Sequence, residues 1–108
     1  MNQDQEREET KANILSQVLV AFGQGTGPIR VSRKAARALT NRYRPMITRE
    51  VIEQWDEEGG QALERIRAIG RLAAQTMTQK ARSAINADDV IDSARAVERA
   101  SGTGFCDG

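Results

Sequence analysis

The sequence predicts an all-α protein, and three observations carry that prediction. Strong helix formers dominate the 108-residue chain, and prolines number only two. No β-branched alternation runs over four or more residues, whereas apolar residues recur at helical spacing along most of the chain. The length suits one domain. Aromatic residues make up only 4% of it (Phe22, Tyr43, Trp55 and Phe105), so alanine and the aliphatic residues must build the core. Alanine buries little area. A helix assembly of this composition is expected to gain stability from a second chain covering a long apolar stripe.

Residues 1–8 are polar and read as a flexible N-terminus, with a single domain over 9–100 and a Gly-rich tail over 101–108. From Glu9 to Phe22, the residues Ile14, Leu15, Val18, Leu19 and Phe22 fall on one helical face. Gly23, Gly25, Gly27 and Pro28 are expected to stop that helix. Ser32 is placed as the N-cap of the next helix, whose apolar positions are Ala35, Ala36, Leu39 and Tyr43. Pro45 ends or kinks it, because the ring disfavours helical geometry at Arg44 and removes a donor. Met46, Ile47, Val51, Ile52 and Trp55 form a second stripe in a short helix over 48–58, with Gly59–Gly60 as its interruption. A regular stripe of Leu63, Ile66, Ile69/Gly70, Ala73, Met77 and Ala81 then predicts a long helix over 61–82. Ser83 to Asn86 connect it to a last helix. Asn86 is the cap there, Asp88 and Asp89 occupy the dipole-favoured first turn, and Val90, Ile91, Ala94 and Val97 form the apolar face.

Several function classes lose their chemistry at the level of composition. The chain has no histidine, which removes the commonest general base and metal ligand and every Ser–His or Cys–His pair. No active site, metal or cofactor is therefore expected. Asp56-Glu57-Glu58 reads as a solvated helix end, Trp55 as core, and the single Cys106 as an exposed thiol without an internal disulfide partner. No apolar run reaches the roughly 20 residues that span a bilayer, and the acidic start is unlike a secretory signal, so an intracellular place is expected.

Net charge is only +1, but the charges are segregated. Residues 28–45 hold six cations (Arg30, Arg33, Lys34, Arg37, Arg42, Arg44) and no acid, whereas residues 46–58 hold five acids against one cation. A basic surface facing a polyanion is the natural reading of such stripes.

The order of elements, together with Ile29-Arg30-Val31-Ser32 before the long helical region and Arg82-Ser83-Ala84-Ile85-Asn86-Ala87-Asp88-Asp89-Val90 after it, resembles the histone fold. The resemblance covers residues 11–99 and implies a helix–loop–long helix–loop–helix chain that dimerises by handshake. It implies that Arg82 pairs with Asp89, seven residues on, and that Ile85 sits where loops meet in the dimer. The interval from Val31 to Arg82 is longer than the family's central helix. The excess is assigned to an extra helical segment near residues 45–60. Ser83-Ala84 also replace the Lys-Thr usual in the family's DNA-binding members.

The resulting expectation is a dimer-forming, histone-fold-like, DNA-associated architectural or regulatory factor of the nucleoid or nucleus. Its partners would be itself or a histone-fold paralogue, and double-stranded DNA. Phosphate contacts are assigned to Arg30, Ser32, Arg33, Lys34, Arg37, Lys80 and Ser83. A structural pair is assigned to Arg82 and Asp89, and the dimer or core stripe to Leu63, Ile66, Ile69, Ala73 and Met77. Two alternatives accompany it: a heterodimerisation module of a larger complex with little DNA contact, and a helix-turn-helix regulator built on 33–43 and 48–58.

Overall fold

The computed structural model describes residues 3–101. It contains four α-helices: α1 (Gln3–Thr26), α2 (Arg33–Tyr43), α3 (Arg49–Gln79) and α4 (Ala87–Ser101). Among the described residues, extended pairing is confined to one parallel bridge between Val31 and Ile85. The all-α expectation holds. The tail, with Phe105 and Cys106, lies outside the described residues.

Three boundaries differ from those expected, each for a packing reason. First, α1 begins at Gln3 and runs through Gly23 and Gly25 to Thr26. Only Gly27 stops it, with φ +71 and its N–H donating to the Gly23 carbonyl at 3.1 Å. Gly25 stays helical because α3 crosses there: a Cβ on Gly25 would sit on the Arg67 carbonyl. A Cβ on Gly70 would likewise sit on the Phe22 carbonyl and 3.1 Å from the Gly25 Cα. Two glycines thus let two helix backbones touch.

Second, α3 runs unbroken for 31 residues through Gly59–Gly60, so residues 45–60 do not form a separate helical segment. Gly59 is buried beneath Trp55, and a Cβ would lie 2.9 Å from the indole ring. Its lack of a side chain makes room for the indole and breaks nothing. The true interruption is Pro45, in a 3₁₀ turn over Arg44–Met46, after which Thr48 restarts the helix by accepting the Val51 N–H at 3.3 Å.

Third, α3 ends at Gln79, and Ala81 is exposed instead of continuing the stripe. Ala81 has φ 54. Its N–H donates to Thr78 and the Arg82 N–H to Met77, which is a Schellman termination with alanine in the left-handed position that glycine usually takes.

Matched contacts give the directions of the helices. Trp55 Nε1 donates to Gln17 Oε1 (3.2 Å) and Arg67 Nε to Gln24 Oε1 (2.8 Å), so α1 and α3 run parallel. Arg65 donates to the Ser101 carbonyl, so α4 returns antiparallel along α3. The Val31–Ile85 bridge at one end and Arg42–Glu98 at the other make α2 parallel to α4. The core lies between these layers: Ile14, Val18 and Phe22 from α1, Leu39 from α2, Ile66, Ile69 and Ala73 from α3, and Val90 and Ala94 from α4, all at 2% exposure or less. Met77 is buried too, and Leu63 is half-buried. The α3 stripe thus has a cover within its own chain, supplied largely by α1. At 24 residues, α1 is long enough to lie along most of the stripe. Leu19, expected on the inner face of α1, is 38% exposed on the outer one.

Candidate nucleic-acid interface

Ser32 starts α2 by accepting the Ala35 N–H on its hydroxyl oxygen at 3.1 Å. The buried face of α2 is Ala35, Leu39 and Tyr43, at steps of four residues. At about 100° per residue, that phase puts Arg33, Lys34, Arg37 and Arg44 within an arc of about 100° on the opposite side. All four are exposed, as is Arg30 in the loop before the helix. None of these five makes an ion pair among the described residues. The first turn of α2 contains no acid, in contrast to α4 with Asp88 and Asp89.

The sixth cation of the stretch is spoken for. Arg42 donates through Nε (3.0 Å) and Nη2 (2.5 Å) to the two carboxylate oxygens of Glu98, and the Tyr43 hydroxyl donates to Oε1 at 3.0 Å. The Arg42 hydrogen bond holds the Glu98 carboxyl below its ordinary range, while burial pushes the Tyr43 phenol upward. This cluster ties the end of α2 to α4 and takes Arg42 out of the free basic face. Sequence reasoning could not separate Arg42 from its neighbours, because its partner is 56 residues away. Arg44, counted in the basic stretch but not assigned a phosphate contact, belongs to this surface. The signal was present: positions 33, 37 and 44 share a helical face.

The loop from Gly27 to Ser32 and the loop from Lys80 to Asn86 lie side by side. Ile85 N–H donates to the Arg30 carbonyl at 2.9 Å and Ser32 N–H to the Ile85 carbonyl at 3.1 Å. Ile85 is fully buried beneath this junction. The pairing brings the exposed Lys80 and Ser83 onto the same end of the molecule as Arg30, Arg33 and Lys34. The two loops belong to one chain.

Arg82 reaches Asp89, as the resemblance implied, Nη2 to Oδ1 at 2.6 Å. The Asp89 carboxylate is fully buried, and its other oxygen accepts the Asn86 N–H (3.1 Å), while Asn86 Oδ1 accepts the Asp89 N–H (3.0 Å). Asp89 therefore closes a reciprocal cap on α4 and anchors the second loop through Arg82 at once. The Arg82 side chain is 32% exposed, and its role here is architectural.

Of the sequence-assigned contact residues, Arg30, Arg33, Lys34 and Arg37 share one surface with Arg44, and Lys80 and Ser83 border it at the loop junction. Ser32 faces inward as a cap. No protein family, curated protein or solved structure matches the chain.

Proposed function

We propose that the chain is a histone-fold-like, DNA-associated architectural factor that neutralises duplex phosphates with the outer face of α2 and the paired loops. The observation that carries this reading is the set of five cations without an ion pair among the described residues, Arg33, Lys34, Arg37 and Arg44 on the side opposite the buried face of α2 and Arg30 in the loop before it. Exposed cations of one sign without acids to quench them release counterions when they meet a polyanion. From Arg33 to Arg44 the face extends about 16 Å at 1.5 Å per residue, the rise of about five base pairs. Trp55 is half-buried against Gln17, and Tyr43 is buried on Glu98, so neither offers a stacking platform for unpaired bases. That favours a duplex partner read through its backbone.

The histone-like part of the reading rests on the Arg82–Asp89 pair, the apolar Ile85 between them, and the bridge from Ile85 to the Arg30-Val31-Ser32 loop. The difference from the family pattern is that both loops come from one chain, and α1 supplies cover that a partner would otherwise give. The two-helix alternative loses support, since residues 48–58 belong to the first part of the long α3.

Duplex titration at two salt concentrations tests the proposal. About four phosphate contacts per chain give a log–log salt slope of about −3 to −4. Replacing Arg33, Lys34 and Arg37 together with Gln flattens that slope and leaves helicity unchanged. An absence of binding by the wild type at low salt would sink the DNA reading and leave an interaction module in its place.

A further inference from the structure

The outer face of α1 is unlike the rest of the surface. The chain is 29% charged, yet no charged residue occurs from Ala12 to Ile29. Leu19 and Val20, at 38% and 61% exposure, are the exposed large hydrophobics among the described residues. At 100° per residue, Ala12, Ser16, Leu19, Val20 and Gly23 fall within an arc of about 100°, opposite Ile14, Val18 and Phe22 in the core. Small side chains flank the two apolar ones, and a Cβ at Gly23 would meet nothing within 4 Å, so another backbone can approach there. N-terminal to this stripe the same side turns acidic, with Glu8 and Glu9 exposed. C-terminal to it, the chain enters the basic loop that carries exposed Arg30, with Arg67 held beside Gln24.

From this arrangement we infer that a second copy of the chain docks on α1, the two α1 helices packing antiparallel about a two-fold axis at Leu19–Val20. Apolar side chains then meet at the centre, because Leu19 of one copy opposes Val20 of the other. Ser16 opposes Gly23, two small residues that let the backbones close. Glu8 and Glu9 of each copy come opposite the basic loop of the other, including the partner's Arg30. A parallel arrangement would set the acidic ends against each other and lose this complementarity. The expected stripe on α3 is internal, so self-association moves to a different helix from the one the sequence suggested. The inference is independent of nucleic acid. It leaves the basic face of α2 uncovered, and a dimer would present two such faces.

The test uses the full chain without DNA. Light scattering from low micromolar to millimolar concentration should show a monomer–dimer equilibrium with a dissociation constant of about 10–100 µM, in keeping with a small interface. Val20→Glu should abolish the dimer while circular dichroism and melting of the monomer stay unchanged, because Val20 is 61% exposed. Cysteine pairs fix the orientation in a Cys106→Ser background. Ser16→Cys mixed with Gly23→Cys should cross-link under mild oxidation, and neither variant should cross-link alone. A monomer throughout the concentration range overturns the proposal. So does a Val20→Glu protein that still dimerises, or efficient self-cross-linking of Ser16→Cys, which requires parallel packing.

Discussion

The same substitution, glycine to alanine, should have opposite signs at two positions ten residues apart in α3. At Gly60 a Cβ would meet nothing within 4 Å. Alanine there restricts the unfolded chain and suits the helix, so Gly60→Ala should stabilise by about 0.5–1 kcal/mol. At Gly70 the new methyl would sit on the Phe22 carbonyl and 3.1 Å from both the Gly25 Cα and the Thr26 N. All three are backbone atoms of α1, so no side chain can swing aside, and the two helices must separate. Overpacking of this kind costs about 1–3 kcal/mol in cores where side chains can yield. With backbone against backbone, about 3 kcal/mol is the better figure, offset by about 1 kcal/mol of helix propensity. Gly70→Ala should thus lose about 2 kcal/mol net, a fall in Tm of about 8–16 °C, while Gly60→Ala gains a few degrees. Thermal melts of both variants at one protein concentration, checked by urea titration, decide the matter. If Gly70→Ala melted at or above Gly60→Ala, the contact between α1 and α3 would not exist as described, and the parallel pairing of these helices would fall with it.

Three further outcomes follow from the loops and caps. Ala81→Gly relieves a left-handed backbone at φ 54 and should raise stability by about 0.5–1 kcal/mol in chemical denaturation; a loss would mean the Schellman turn is absent. Arg82→Ala should destabilise by about 1–3 kcal/mol, because it leaves the fully buried Asp89 carboxylate without its cation, and the cycle with Asp89→Ala should show coupling of about 1 kcal/mol or more. Additive single and double variants would refute the pairing. Glu98 titrates lower in the folded chain than its unfolded value of about 4.3, so its contribution is present above that pH and fades as pH falls through the folded value. Acid titration of stability should therefore be shallower in Glu98→Gln, and an unchanged acid limb would show that the Arg42–Glu98 pair adds nothing.

What the sequence made legible was local, and what it hid was relational. Pro45 stops α2 because its ring acts on its immediate neighbours, and Ser32 and Asn86 cap their helices through groups within three residues. The Arg82–Asp89 pair was legible through the resemblance, and its ends are only seven residues apart, one in the second loop and one in the first turn of α4. The glycines misled. Their local tendency is to end a helix, and it was overridden at Gly25 and Gly70 by a crossing between helices far apart in the chain, and at Gly59 by the indole of Trp55. No single-segment pattern encodes such a contact. The same blindness hid Glu98 as the partner of Arg42, and left Leu19 assigned to the core when the phase of α1 turns it outward.

The parallel run of α1 and α3 explains how a chain of net charge +1 can present a strongly basic surface. Most acids of both helices lie in their first halves, Glu6, Glu8 and Glu9 in α1 and Glu50, Glu53, Asp56, Glu57 and Glu58 in α3, with Glu64 further along. Negative charge is favoured in the first turn of a helix by the dipole, and Glu50 occupies that turn in α3. Because the two helices point the same way, their acidic starts fall at the same end of a molecule 49 Å long. The paired loops, with Arg30, Arg33, Lys34 and Lys80, lie at the opposite end, where α3 finishes and α2 begins. At physiological salt the Debye length is about 8 Å, so the acids at the starts of α1 and α3 act weakly on an anion held at the loops, whereas Asp88 at the start of α4 lies close to them. The overall charge says little about such a molecule. Charge is sorted by face as well as by end: the exposed Asp88 opens α4 beside the paired loops, whereas α2 contains no acid, and its outer face supports the reading of that surface as the one that meets a polyanion.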